Sequence, residues 1–253
     1  MENGKHTKFI LTPIFEILED CVNATKGISS GIETYPLCDY IMQTTFLKMT
    51  GASEQKLKCI LWEIATNNFD FRYEFLRPQT NYGECSRLDE KNKVFKTLKE
   101  QIRIMNPSED CFEKIFNNST KTEILKTAEE DVINVFENTV LSVWLGKQFK
   151  FFKNSSNVFF KNHFCNCSNK KNEGPDVSLI EETIDYKRIV YEHRNRCAHN
   201  LKSYQTNLPD LSTLVNKDYD YENYFFRFSI LVLLDEIFMK LYSEYLELLK
   251  DNI

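Results

Sequence analysis

The 253-residue sequence predicts an all-α helical bundle with a long C-terminal helix. Apolar residues recur at helical spacing along most of the chain, and no segment shows the alternation that is typical of a β-strand. Glycine and proline number only 7 and 6, which disfavours the turn-rich sandwiches and barrels. The length and a hydrophobic content of 42% fit a single domain spanning 1–253 with a substantial core.

The N-terminal half predicts an antiparallel pair of helices. The first covers 36–49, with a proline at its start and Gly51 just past its end, the usual asymmetry of helix termini. The second covers 53–76, where Ser53 is a candidate N-cap and apolar residues such as Leu57 and Ile60 recur at helical spacing.

Four further helices complete the predicted bundle. A third helix is predicted at 88–105, inside a region, 77–119, that allows a small insertion. A fourth is predicted at 120–152 and is followed by an Asn-, Ser- and Lys-rich flexible loop at 154–175. A fifth is predicted at 176–199, and a long last helix at 219–249.

Charge and hydropathy exclude several classes of protein. The net charge of -5 argues against a general polyanion binder, so contact with nucleic acid has to come from local patches. The longest apolar run, 229–234, is too short to span a bilayer, and the N-terminal residues lack the apolar stretch of a signal peptide. A cytoplasmic protein without membrane contact is therefore expected, with its 8 cysteines reduced.

The stretch "YEHRNRCAHN" gathers basic and amide side chains at the end of the fifth predicted helix. At about 100° per residue, Arg194 falls on the apolar face, whereas His193 falls opposite that face and is expected at the surface. A guanidinium on a buried face needs a carboxylate or a phosphate as its partner. A structural ion pair, for instance with Asp235 or Glu63, and a substrate phosphate are both open alternatives.

The spacing of Arg194 and His199 restricts how they can share a substrate. Five positions on a straight helix separate their directions by about 140°, so they converge only if the helix ends there or a second copy completes the site. Asn200 and Pro209 are stop signals that favour a helix end near His199.

The six residues "RNRCAH" resemble the Arg–polar–x(3–5)–His signature of the HEPN superfamily, in the Arg-Asn-x-x-x-His form typical of its ribonucleases. The resemblance implies a HEPN-like helical bundle and a metal-independent endoribonuclease of a toxin or antiphage defence system. Carried over by position, Arg194, Asn195 and His199 would be the catalytic residues, with no metal and no cofactor. It further implies a homodimer and allows an antitoxin or defence-system protein as partner. The alternative is a non-catalytic HEPN-like module that binds RNA or nucleotide, or acts as a scaffold.

The chemistry of RNA cleavage suits these residue types. RNA carries its own nucleophile, the 2′-OH, so neither a nucleophilic side chain nor a metal is required. His199 can transfer a proton near neutral pH, and Arg194 can stabilise the charge that develops on the phosphate. Asn195 can hold the imidazole or the phosphate by its amide. The expected products carry a 2′,3′-cyclic phosphate and a 5′-OH end.

Two basic segments are candidate RNA-binding surfaces. The first surrounds the motif and contains Lys187, Arg196 and Lys202. The second, 147–171, has six lysines and no acid, with Lys150 and Lys153 as its candidate contacts. Phenylalanines lie between these lysines and suit base stacking, although they could equally cap the core.

Two other patterns carry weaker implications. His163, Cys165 and Cys167 offer three soft ligands, but no fourth ligand accompanies them, so an incidental loop is favoured over a zinc site. The segment near the motif, with 221–228, "YENYFFRF", has the aromatic-plus-arginine composition of interface cores and is the predicted dimer contact.

Overall fold

The structure is a computed structural model that describes residues 5–77, 82–108, 111–164, 185–199 and 220–251. These residues form helices and connections without a β-strand, which confirms the predicted all-α bundle. The helices are α1 (Thr7–Leu11), α2 (Glu16–Thr25), α3 (Tyr35–Asn67), α4 (Phe69–Phe75), α5 (Leu88–Met105), α6 (Cys111–Ile115), α7 (Asn118–Phe136), α8 (Val140–Trp144), α9 (Gly146–Phe164), α10 (His193–His199) and α11 (Tyr224–Asp251). A short 3-10 turn, Ile32–Thr34, precedes α3, and a π-helical segment, Lys187–Glu192, runs directly into α10.

The long C-terminal helix α11 is the centre of the bundle. Its N-terminal half is buried on every face, from Phe225 through Leu234, and α3, α5 and α7 pack around it. A helix that is apolar all round has to lie in the interior, which explains why its sequence shows no polar stripe. The predicted long last helix is therefore confirmed, and it forms the core of the bundle.

The predicted helix pair 36–49 and 53–76 is wrong, because α3 is one continuous helix of 33 residues. Gly51 lies inside α3, where an added Cβ would meet nothing within 4 Å. A glycine inside a helix costs only about 1 kcal/mol, which the burial of Met49, Leu57 and Ile60 on the same helix easily exceeds. Ser53 is consequently an interior helix residue and caps nothing.

The predicted fourth helix is also divided. The chain leaves α7 at Glu137, Asn138 takes a positive φ of 61°, and the Thr139 hydroxyl accepts the backbone N–H of Ser142 to start α8. The helix α9 then continues to Phe164, so the predicted loop 154–175 is wrong over 154–164, and its remainder lies outside the described residues. The predicted start of the fifth helix, 176–184, also lies outside them.

The region 77–119 contributes directly to the core. The predicted third helix is confirmed as α5, whose Val94, Leu98 and Ile102 are fully buried against α11. The helix α5 is thus an integral layer of the bundle, and this layer supplies Lys91 to the region of the site described below.

A buried ion pair fastens α3 to α11. The Lys56 ammonium donates to both oxygens of Asp235, at 2.7 and 2.8 Å, and the backbone N–H of Ile14 donates to the same carboxylate at 2.9 Å. Both side chains are almost fully buried, so each charge depends on the other for its solvation.

None of the helices that the structure describes is both long enough and apolar enough to cross a membrane.

Candidate active site

The motif lies on α10, directly after the π-helical segment Lys187–Glu192. The Asp185 carboxylate accepts the backbone N–H of Arg188 at 3.0 Å and so caps the start of this segment. Buried Tyr186 donates to the Ser86 carbonyl at 3.4 Å, which ties the segment to the connection before α5. Single-turn π segments inside helices are frequent at functional sites, and this one sets the rotation of the motif.

The carbonyl of Ile189 in the π segment receives a hydrogen bond from outside the helix. The buried Arg227 of α11 donates to it through Nε at 2.8 Å. A π-helical turn shifts the backbone pairing and leaves a carbonyl to be satisfied by another group. Burial lowers the pKa of Arg227 to about 10, so the guanidinium keeps its charge at neutral pH.

The position of His193 shows the consequence of the π segment. The prediction of a surface histidine is wrong, because the ring is half-buried and packs between Phe46 of α3 and Tyr224 of α11, with centroids 5.1 and 5.3 Å away. The prediction assumed a rotation of about 100° per residue, which corresponds to 3.6 residues per turn. The wider π turn changes the direction about the helix axis in which every later side chain points. Burial lowers the pKa of His193 far below its usual value, so the imidazole is neutral at physiological pH.

Arg194 meets the carboxylate that its position required. Its Nη2 donates to Glu54 of α3 at 3.3 Å, and 27% of the arginine side chain and 13% of the glutamate side chain are exposed. The two partners suggested by sequence are wrong, since Asp235 binds Lys56 and Glu63 accepts the backbone N–H of His6. The ion pair therefore lies at the edge of the bundle, where solvent can reach one side of the guanidinium.

Asn195 contacts Arg194 directly. The Nη1 of Arg194 donates to the Asn195 side-chain oxygen at 3.3 Å, so two neighbouring motif residues form one polar unit. His199 is the last residue of α10, and its side chain lies outside the described part of the chain. The structure thus brings Arg194 and Asn195 together, while the position of the imidazole stays a prediction.

Two charged residues near the motif were not predicted from the sequence. Glu54 faces Arg194 from α3, and the buried Lys91 of α5 donates to Ser53, the residue before Glu54, at 3.3 Å. Burial lowers the pKa of Lys91 to about 8, and the charge of Glu54 opposes this shift more than any other neighbour. Neither residue belongs to a motif, and 140 positions separate Glu54 from Arg194, so only the fold reveals them.

The candidate RNA-binding residues lie on separate surfaces. Lys187 is exposed beside the motif, and Arg196 is half-buried near His193 and Arg227. Lys150 and Lys153 are exposed on α9, where they line a cavity of about 330 Å³ and Lys153 binds Glu137. Lys202 lies outside the described residues.

The phenylalanines of α9 belong mainly to the core. Phe149, Phe152, Phe159 and Phe160 are buried, and Phe149, Phe152 and Phe159 contact aromatic rings of α11. The alternative that these rings cap the core is therefore confirmed, and the prediction that they stack on bases is wrong for these four residues.

The segment 221–228 is likewise internal. Tyr224, Phe225, Phe226, Arg227 and Phe228 are buried within a single chain. The prediction that this segment forms the dimer contact is wrong, because an aromatic-plus-arginine composition also suits the core of a bundle whose buried arginine caps a carbonyl.

Metal-ligand clusters are absent from the part of the chain that the structure describes: no group of three His, Cys, Asp or Glu side chains there could hold an ion. Cys165 and Cys167 and the side chain of His163 lie outside it. The described cysteines Cys21, Cys38, Cys59, Cys85 and Cys197 are free thiols.

No known protein family, curated protein or solved structure matches this chain.

Proposed function

We propose that the chain is a metal-independent endoribonuclease of the HEPN type, with Arg194, Asn195 and His199 as its catalytic residues. His199 would move the proton of the 2′-OH or of the leaving oxygen, and Arg194 would stabilise the charge on the phosphate. The attack of the 2′-oxygen on phosphorus forms the cyclic phosphate, and the 5′-oxygen leaves with a proton. The substrate is RNA, and a toxin or antiphage defence effector in the cytoplasm is the setting that the resemblance favours.

One observation carries this proposal: Arg194 is held on two sides and is still partly exposed. Its Nη1 contacts Asn195 and its Nη2 contacts Glu54, both at 3.3 Å. A guanidinium has five N–H donors in a rigid plane, so these contacts fix its direction while other donors can meet a phosphate.

A second candidate function is favoured by the same ion pair. Because Arg194 already has a carboxylate partner, its role could be structural, as in a non-catalytic HEPN-like module that binds RNA or acts as a scaffold. The two functions differ in a single property, the breakage of an RNA backbone, so one experiment separates them.

We also propose that the protein acts as a homodimer, in which two motifs face one RNA. The support is the spacing of Arg194 and His199, which diverge on a regular helix and would need a second copy to surround the substrate. Light scattering at micromolar concentration should give twice the mass of 30.0 kDa. A monomer that keeps full activity would overturn the dimer and leave the catalytic assignment intact.

The test of the proposed function is incubation of purified protein with labelled RNA and with DNA of the same sequence, in the presence of EDTA. We expect RNA to be cut and DNA to stay intact, because only RNA has the 2′-OH. Dependence on a divalent ion, or equal cleavage of DNA, would overturn the mechanism. An intact RNA would favour the non-catalytic module.

Matched variants separate the motif from general charge effects. His199→Ala and Arg194→Ala should each abolish most of the cleavage. Arg188→Ala is the control, because Arg188 lies on the π-helical segment that runs into α10, is paired with Glu222 and is 25% exposed, close to the 27% of Arg194. Equal loss of activity in the Arg188 variant would show that the motif arginine has no special role.

A further inference from the structure

Lys91 is a lysine that the fold buries almost completely. Only 1% of the residue is exposed, and its ammonium donates to the Ser53 hydroxyl at 3.3 Å. None of the ion pairs between described residues includes it. A buried ammonium without a bound carboxylate is costly, so a nearby negative charge has to offset its desolvation.

Glu54 supplies that charge. It follows Ser53, whose hydroxyl binds Lys91, on α3, and its negative charge favours the protonated ammonium of Lys91, as do the charges of Glu90 and Asp235. The same carboxylate accepts the Nη2 of Arg194. The Glu54 carboxylate therefore lies in the electrostatic field of Lys91 on α5 and forms an ion pair with Arg194 on α10.

We propose that Glu54 and Lys91 are positioning residues for Arg194: Lys91 retains the Glu54 carboxylate at the inner side of the site, and Glu54 fixes the direction of the guanidinium. This inference rests on the proposed function, because Arg194 needs a fixed direction only if it meets a substrate phosphate.

One carboxylate is enough to fix the direction of the Arg194 guanidinium, because Asn195 supplies the second contact. Asn195 holds Nη1 and Glu54 holds Nη2, and two fixed nitrogens define the plane of a guanidinium. Loss of Glu54 leaves one contact, about which the group can turn. Loss of Lys91 removes the positive charge that attracts Glu54 inward, so the carboxylate turns towards water and loosens its contact with Arg194.

Nuclear magnetic resonance of the arginine Nε–Hε groups tests the positioning without reference to activity. The steady-state heteronuclear NOE of Arg194, assigned from the signal missing in Arg194→Lys, should fall in Glu54→Gln and fall less in Lys91→Met. The matched control is Glu222→Gln, which breaks the Arg188–Glu222 pair of similar burial on the same helical segment. It should leave the Arg194 signal unchanged.

An unchanged Arg194 signal in Glu54→Gln would overturn the role of Glu54. An unchanged signal in Lys91→Met alone would overturn that of Lys91. Circular dichroism melting of each variant confirms that the comparison is made on folded protein, and Lys91→Met keeps the apolar stem that fills the interior.

Kinetics then separate positioning from binding. On RNA, Glu54→Gln should lower kcat about tenfold and change KM less than twofold, because a misdirected arginine loses its contact mainly in the transition state. Glu222→Gln should change neither constant. A wild-type protein that cuts no RNA overturns the proposed function, whereas the resonance experiment still decides whether Glu54 and Lys91 hold Arg194.

Discussion

At the scale of single residues, His193 is a titratable group that the fold keeps neutral. The ring lies between Phe46 and Tyr224, and burial lowers its pKa far below the usual 6.5. Below about pH 6.5 the His193 imidazole therefore binds a proton in the unfolded chain but not in the folded chain. The free energy of unfolding falls as the pH drops below that value. Between pH 7 and pH 5 we expect this group to remove up to about 2 kcal/mol from the free energy of unfolding.

His193→Phe isolates that contribution, because phenylalanine keeps an aromatic ring between the same neighbours and cannot titrate. Urea unfolding of both proteins at pH 7 and pH 5 should show a smaller acid loss in the variant. Equal losses would mean that His193 is protonated in the folded protein and is not enclosed as described.

The sequence correctly predicted that Arg194 needs an anionic partner, but it did not identify which residue supplies the anion. An arginine on an apolar helical face requires an anion, and the structure supplies Glu54. The choice among the protein's acids could not be made from sequence, because a contact across 140 positions depends on how α3 and α10 pack. Sequence placed both Asp235 and Glu63 on helices that could face the motif, and each binds another group.

At the scale of helices, α3 is the element whose continuity matters most, since it carries Ser53, Glu54 and Lys56 in one rigid register. Gly51 is its weakest position, and a Cβ there has free space. We expect Gly51→Ala to raise the free energy of unfolding by about 0.5–1 kcal/mol, measured by urea unfolding at pH 7. A loss of stability would instead support a break at Gly51 and the helix pair that the sequence predicted.

The pair of Lys56 and Asp235 is the charged contact that joins α3 to α11. Because both groups are buried, Asp235→Asn or Lys56→Met leaves one uncompensated charge and should cost about 3–5 kcal/mol. The double variant Lys56→Met, Asp235→Leu removes both charges and should recover most of that loss. Additive losses in urea unfolding would contradict a direct pair.

The helical element that sequence could not describe is the π segment before α10. Its apolar residues, Ile189 and Val190, are compatible with an α-helix as well as with a π-helix. The wider turn depends on Arg227, which caps the Ile189 carbonyl from α11, a contact that no local pattern contains. The rotation of His193 and of the motif therefore had to come from the packed structure.

At the scale of the whole molecule, the architecture followed from composition and periodicity, whereas the surface did not. Few glycines and helical periodicity predicted an all-α bundle with a long C-terminal helix, and the structure has that arrangement, with α11 at its centre. The phenylalanines between 147 and 160 fitted either base stacking or the core, and 221–228 was predicted as a dimer contact. The aromatic residues of both segments are largely core, because a single sequence does not show which apolar faces meet each other. Arg194 is partly exposed at the edge of the bundle.

The proposed function is the cleavage of RNA by attack of the 2′-OH. The most direct measurement uses a labelled DNA oligonucleotide that contains one ribonucleotide, in EDTA, with the products analysed by mass spectrometry. Attack by the 2′-OH predicts one cut, directly 3′ to the ribose, leaving a 2′,3′-cyclic phosphate, and no cut when that ribose is 2′-O-methylated. Cleavage of the methylated strand, cleavage at deoxynucleotides, or an intact strand under conditions where the folded protein binds it would contradict the account.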